Sequence, residues 1–156
     1  MAATRRFYFE DFVPGRVWEA TGDVVSSEDI IDFGRKFDPQ DFHTDEEKAR
    51  QSVYGGLIAS GWHTLSLCMR MICDTVLIDS AGLGSPGLDK LRWTRPVRPG
   101  DRLRLRMTVR EATPSRSRPD RGTVLSFCEV FNQDDELVMT MEGYSIFGRR
   151  VPGGPA

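Results

Sequence analysis

A carboxylate and an imidazole lie five residues apart in the segment FDPQDFH, Phe37 to His43. Pro39 fixes its own φ, has no N–H to donate and drives Asp38 out of the α region, so this stretch cannot continue a regular helix. Such a kinked segment can aim Asp38 and His43 at one point. An acid and a base converging on one water molecule is what adding or removing water across a double bond requires. A second segment, GGLIASGWHT from Gly55 to Thr64, ends in a Ser-Gly start to a long apolar helix. The first N–H groups of a helix lack intrahelical partners and face outward. The backbone near Gly61 can therefore hold a developing oxyanion, and a glycine there lets a substrate come close. Each element alone has a plainer meaning: an Asp before Pro is commonly a helix stop, and a lone His beside an aromatic is usually structural. The conjunction of the two segments is what favours catalysis.

These residues need a frame. Met1 to Pro14 reads as an arm or first strand ending at the Pro14-Gly15 turn, and Arg16 to Val25 as a strand. Ser26 with Asp29 resembles a capping box and opens a helix to about Phe37, with Ile30, Phe33 and Phe37 on one face. Thr44 to Gln51 is expected to be a short helix capped by Thr44. The long helix, roughly Gly61 to Asp79, is apolar on nearly every side in its first turns, which predicts central burial. After a Gly-rich connection, Ala81 to Pro86, four strands follow: Leu88 to Arg95, Arg102 to Ala112, Thr123 to Phe131 and Leu137 to Phe147. Turns at Pro99-Gly100, Pro114 to Gly122 and Asn132 to Glu136 separate them. A helix-rich first half followed by antiparallel strands is an α+β arrangement. The expectation is one domain over residues 1–149 and a disordered tail over 150–156.

Composition excludes several classes of function. The net charge of -2 implies no general attraction to nucleic acid or anionic membranes. The stretch Leu65 to Ile78 is interrupted by Arg70 and Asp74, which argues against a membrane span. No secretory signal is expected from the N-terminal MAATRRFYFEDF. The three cysteines show no CxxC spacing and read as reduced, buried thiols of a cytoplasmic protein. The acids Asp38, Asp41 and Asp45 with His43 lack the glycine and closing Glu of a calcium loop, so no metal site is expected. The run SRSRPDR, Ser115 to Arg121, reads as a solvated hairpin loop, and His63 as a structural histidine of the helix start or of a dimer interface.

The pattern FxxxFDPQxFHxDxxxAxxSxxGGLIASGWHT, with a weaker echo in LRWTRPVRPGD from Leu91 to Asp101, resembles the MaoC-like acyl dehydratases, or R-specific enoyl-CoA hydratases. The resemblance implies a hot-dog fold, in which a curved antiparallel sheet wraps a long helix, and a homodimer. It also implies water addition to a trans-2-enoyl-CoA to give the R-3-hydroxyacyl-CoA, or the reverse, without metal or organic cofactor. Asp38 and His43 occupy the positions of the family's catalytic pair. Which of them acts as base stays open. Gly61 is the expected oxyanion donor, and Phe42, Ser60 and Trp62 are the expected substrate contacts. The chain departs from the family pattern in carrying Gln40 and Asp41 inside the pair, and Ser60 where many hydratases carry His. Two other readings remain: a hot-dog thioesterase, whose chemistry usually relies on an acid in the central helix (here the first is Asp74), and a non-catalytic acyl-CoA binder.

Overall fold

The computed structural model describes residues 5–153. Five antiparallel strands form one sheet: β1 (Val17–Val24), β2 (Gly82–Trp93), β3 (Arg102–Pro114), β4 (Arg121–Phe131) and β5 (Leu137–Gly148), in the order β1-β3-β4-β5-β2. Along β3 the alternation is strict. Leu103, Leu105, Met107 and Val109 are buried, while Arg102, Arg106 and Arg110 face solvent, as a strand with one face on a core requires. The four-helix segment comprises α1 (Ser27–Phe37), α2 (Asp41–Thr44), α3 (Glu46–Gln51) and α4 (Gly61–Ile72). Helix α4 lies against β1 and β3 and contributes Cys68, Met71 and Ile72 to the core. A curved sheet with a central helix on its inner face is the hot-dog arrangement.

Four expectations about elements need correction. The Gly-rich stretch Ala81 to Pro86 is not a connection: β2 begins at Gly82, where it pairs with Phe147 of β5. Gly84 at φ 107° and Gly87 at φ 155° take up register shifts in this pairing, so glycines that resemble a linker permit a bulged strand. The long helix is regular only to Ile72 and continues as a π-helical turn, Cys73–Leu77. It is not buried all round. His63, Thr64, Cys68 and Met71 face inward, but Trp62 is 58% and Met69 44% exposed, because the sheet covers one side of the helix. The helix expected over Thr44 to Gln51 is two pieces. Thr44 Oγ1 donates back to the Gln40 carbonyl at 3.1 Å, and Asp45 caps α3 by accepting the Lys48 N–H at 3.0 Å.

Smaller differences follow the same logic. Phe37 is exposed and does not share the buried position of Ile30. Cys73 is only half-buried, unlike Cys68 and Cys128. The described part of the N-terminal arm is a 3-10 turn, Phe9–Asp11, with one isolated bridge from Phe7 to Ser80; residues 1–4 lie outside the described residues. Of the expected C-terminal tail, the Arg150 guanidinium donates to Asp11 at 2.8 Å and the Gly153 N–H to the Pro119 carbonyl at 2.9 Å. Residues 154–156 lie outside the description. Among the described residues no helix is long and apolar enough to cross a membrane.

Candidate active site

Helix α1 stops where Pro39 requires it. Ser26 opens the helix by accepting the Asp29 N–H at 3.0 Å, and the Asp38 N–H closes it on the Gly34 carbonyl at 2.9 Å. The chain then turns through Gln40 into the single turn of α2, which carries His43. The close crossing of α1 and α2 depends on Gly34. A Cβ there would lie 2.7 Å from the His43 carbonyl oxygen and 3.0 Å from its Cβ, so only glycine lets α2 settle at this depth.

The segment before α4 locks His43. The Ile58 N–H donates to the Phe42 carbonyl at 3.1 Å, and His43 Nδ1 lies 2.7 Å from the Ile58 carbonyl oxygen. A carbonyl only accepts, so Nδ1 carries the proton, and neutral His43 presents the lone pair of Nε2. That nitrogen faces Asp38 Oδ2 at 3.4 Å. The carboxylate is itself held at both oxygens. Ser60 Oγ donates to Oδ2 at 2.7 Å and Gln40 Nε2 donates to Oδ1 at 2.8 Å. Burial raises the pKa of the Asp38 carboxyl, but the bonds from Ser60 and Gln40, with the positive charge that His43 carries when protonated, outweigh it and hold the carboxyl below its ordinary value. Asp38 is therefore an anion at neutral pH, beside the free lone pair of His43. With His43 neutral, these two facing acceptors 3.4 Å apart can share one donor, such as a water or an alcohol O–H.

Both residues line a cleft of about 480 Å³ that also takes in Phe42, Gly61, Trp62 and Trp93. Ser60 does not line it. Ser60 is buried, positions Asp38 and caps α4 by accepting the Trp62 N–H at 3.3 Å. Among the described residues no acceptor pairs with the Gly61 N–H, the first of α4, and Gly61 lines the cleft. The space that glycine frees at its α-carbon is taken by the Trp93 indole, three atoms of which would lie 2.5 to 2.9 Å from an added Cβ. Phe42 meets the His43 ring edge-on, centroids 4.6 Å apart at 75°.

The residues that disturb the family pattern do not disturb the pair. Asp41 turns outward to Lys48 at 2.9 Å, and Gln40 strengthens the hold on Asp38. With Asp45 capping α3, the acids of this loop serve separate partners, and among the described residues no three metal-binding side chains converge. His63 sits outside the cleft, stacked on Phe33 at 4.8 Å with Nδ1 unpaired; burial depresses its pKa against the pull of Asp29. Asp74 is likewise outside, paired with Arg70 at 2.8 Å. Sequence reasoning missed three contributors: the Ile58 carbonyl, Gly34 and Trp93. The Gly in an otherwise helical run was the one signal for Gly34. A backbone carbonyl and a tryptophan far along the chain carry none.

The model of the MaoC-like domain matches residues 11–126. The chain belongs to the MaoC-like domain family. The Bacillus subtilis protein YdeM is 29% identical over 133 residues, covering 85% of this chain and 93% of that one. The crystal structure of a MaoC-like dehydratase from Rhodospirillum rubrum superimposes with a TM-score of 0.85 at 40% identity, covering 93% of this chain and 99% of the other. The R-hydratase PhaJ1 from Pseudomonas aeruginosa, at 23% identity, shares the fold with a TM-score of 0.73, covering 96% of this chain and 94% of that one.

Proposed function

We infer that this MaoC-like protein is a hydro-lyase that adds water to a trans-2-enoyl-CoA to give the R-3-hydroxyacyl-CoA, or runs the reverse. The observation that carries the reading is the pair of acceptors, Asp38 Oδ2 and His43 Nε2, 3.4 Å apart in the cleft. One water bridges them through its two hydrogens. Its oxygen attacks C3 of the enoyl thioester as His43 Nε2 takes one proton, and Asp38 stabilises the imidazolium so formed. Electron density moves to the thioester oxygen, where the Gly61 N–H and the start of α4 receive it. The imidazolium then returns its proton to C2. Hydrogen and hydroxyl thus arrive from one side, so addition is syn. The chemistry calls for a base, an acid and an oxyanion donor, and no metal or organic cofactor is assigned. Phe42 and Trp62 line the acyl side, and Ser60 acts through Asp38.

The partner of choice is a second copy of the chain. Strand β2 is a sheet edge exposed along almost its whole length, with Leu83, Leu88 and Trp93 at 44–50% exposure. Such an edge is normally paired or covered. Sedimentation is expected to give a dimer; a stable monomer would contradict this assignment. Three free thiols favour a cytoplasmic location.

The test is loss of the conjugated enoyl-thioester absorbance of crotonyl-CoA, with chiral analysis of the product. The parent is expected to form R-3-hydroxybutyryl-CoA, and Asp38→Asn and His43→Ala to lose turnover while keeping the fold. Release of free thiol would mean hydrolysis instead. Near-parental turnover by either variant would remove the roles given to the pair.

A further inference from the structure

Among the described residues, His63 is the one buried polar side chain with an atom left without a hydrogen-bond partner. The residue is 6% exposed, and its Nδ1 is closed off from solvent and meets no donor or acceptor. A buried polar group in that state calls for an explanation beyond packing. The ring lies parallel to that of Phe33, centroids 4.8 Å apart at 6°, so the face of the imidazole is engaged while its edge is not.

Phe33 leads to the catalytic pair through its neighbour in α1. Gly34 lies against His43, where an added Cβ would stand 2.7 Å from the carbonyl oxygen and 3.0 Å from the His43 Cβ. The Gly34 carbonyl accepts the Asp38 N–H at 2.9 Å. One turn of α1 therefore touches both members of the pair, and His63 is the side chain that α4 stacks on that turn. His63 also lies in the first turn of α4, two residues after Gly61. The stack thus ties Asp38 and His43 to the helix start assigned to the oxyanion, and such chemistry depends on holding these groups in a fixed relation.

Beside His63 is a cavity of about 430 Å³, lined also by Asp29, Asp32 and Lys36 of α1 and by Asp23 of β1. Burial depresses the His63 pKa most, Asp29 draws a charge onto the ring, and a charge on His43 opposes it. An imidazolium carries an N–H on both nitrogens. Within the stack the one at Nδ1 has no acceptor, which is costly in a buried site. Turning the ring toward the carboxylates across the cavity supplies an acceptor and takes the ring off Phe33.

We propose that His63 is a positioning residue for the hydration reaction: its neutral ring, stacked on Phe33, holds the turn of α1 that seats Asp38 and His43 against the start of α4, and protonation releases that hold. It touches no reacting atom. The inference rests on the hydration reading above.

The chain has two histidines, so nitrogen-15 NMR follows each ring through a pH titration, while crotonyl-CoA hydration gives kcat and KM over the same range. In the parent, the His43 signals are expected to show a second inflection where His63 titrates, and the acid limb of kcat/KM to steepen there from a one-proton to a two-proton fall. His63→Ala should lower kcat about tenfold at neutral pH, the upper end of what an aromatic pair contributes, with KM little changed. His63→Phe keeps a ring on Phe33 and cannot titrate. It should recover most of that loss, and its acid limb should stay a one-proton fall where the parent's steepens. Phe33→Leu removes the stack but keeps both histidines, and the second inflection at His43 should vanish. An inflection that survives Phe33→Leu would mean that the two rings sense each other's charge through space, and it overturns the inference. So does a His43 titration indifferent to His63, or a His63→Phe profile superimposable on the parent's. If His63→Phe fails to fold, the parent and Phe33→Leu titrations decide. If the parent hydrates no enoyl thioester, the hydration reading fails, and the same two NMR titrations judge the positioning role alone.

Discussion

Ser60→Ala removes a single donor from a carboxylate and tests the electrostatics of the site directly. Ser60 is 1% exposed, and its Oγ lies 2.7 Å from Asp38 Oδ2. A hydrogen bond to a charged group contributes about 1.5–3 kcal/mol. The Asp38 side chain is 20% exposed, so solvent screens part of this and the lower end, about 1.5 kcal/mol, applies. Loss of the bond should raise the Asp38 pKa, because the Ser60 donor favours the charged carboxylate. The folded-state pKa of Asp38 is depressed, so its contribution to stability is present above the unfolded-state value and vanishes as pH falls through the folded-state value. Urea unfolding should therefore find Ser60→Ala less stable by about 2 kcal/mol at neutral pH, the bond plus a weak cap. In acid, below both values, only the cap contribution of about 0.5 kcal/mol should remain. Carbon-13 NMR titration of the Asp38 carboxyl gives the shift itself. A titration curve superimposable on the parent's, with the same loss of stability at both pH values, would show that Ser60 serves the helix start and not the carboxylate.

Three further outcomes follow from the same geometry. Gln40→Ala removes the 2.8 Å donor to Oδ1 on the exposed side of the carboxylate, so NMR titration should give a rise in the Asp38 pKa smaller than that in Ser60→Ala; an equal or larger rise would contradict the assigned burial of the two bonds. Gly34→Ala places a Cβ 2.7 Å from the His43 carbonyl oxygen, which is backbone and cannot swing aside. Thermal and urea unfolding should show a loss of about 1–3 kcal/mol, and hydration should fall because His43 leaves Asp38. Asp41→Asn breaks only the solvent-exposed pair with Lys48, so melting temperature and turnover should match the parent; a marked loss of turnover would place Asp41 in the chemistry.

Much of this molecule is legible along the chain. Alternation over Leu103 to Val109 determines a strand with one wet face, because successive strand side chains point to opposite sides. Pro39 determines the stop of α1, and with it the kink that carries Asp38 and His43, because the constraint acts on adjacent residues. The Ser60-Gly61 start of α4 is equally local. What only the tertiary structure decides is how those pieces are held. The Ile58 carbonyl that sets the proton on His43 comes from 15 residues away, and the Ser60 hydroxyl that depresses the Asp38 pKa from 22 residues away. Trp93 reaches Gly61 from the end of a strand whose glycine-rich beginning resembles a linker until β5 pairs with it. Exposure of Trp62 and Met69 on a helix that is apolar nearly all round depends on which side the sheet covers. Periodicity and turn chemistry act between neighbours and so are written in order along the chain. Hydrogen bonds, close approaches and burial join residues brought together only when the sheet curls around its helix.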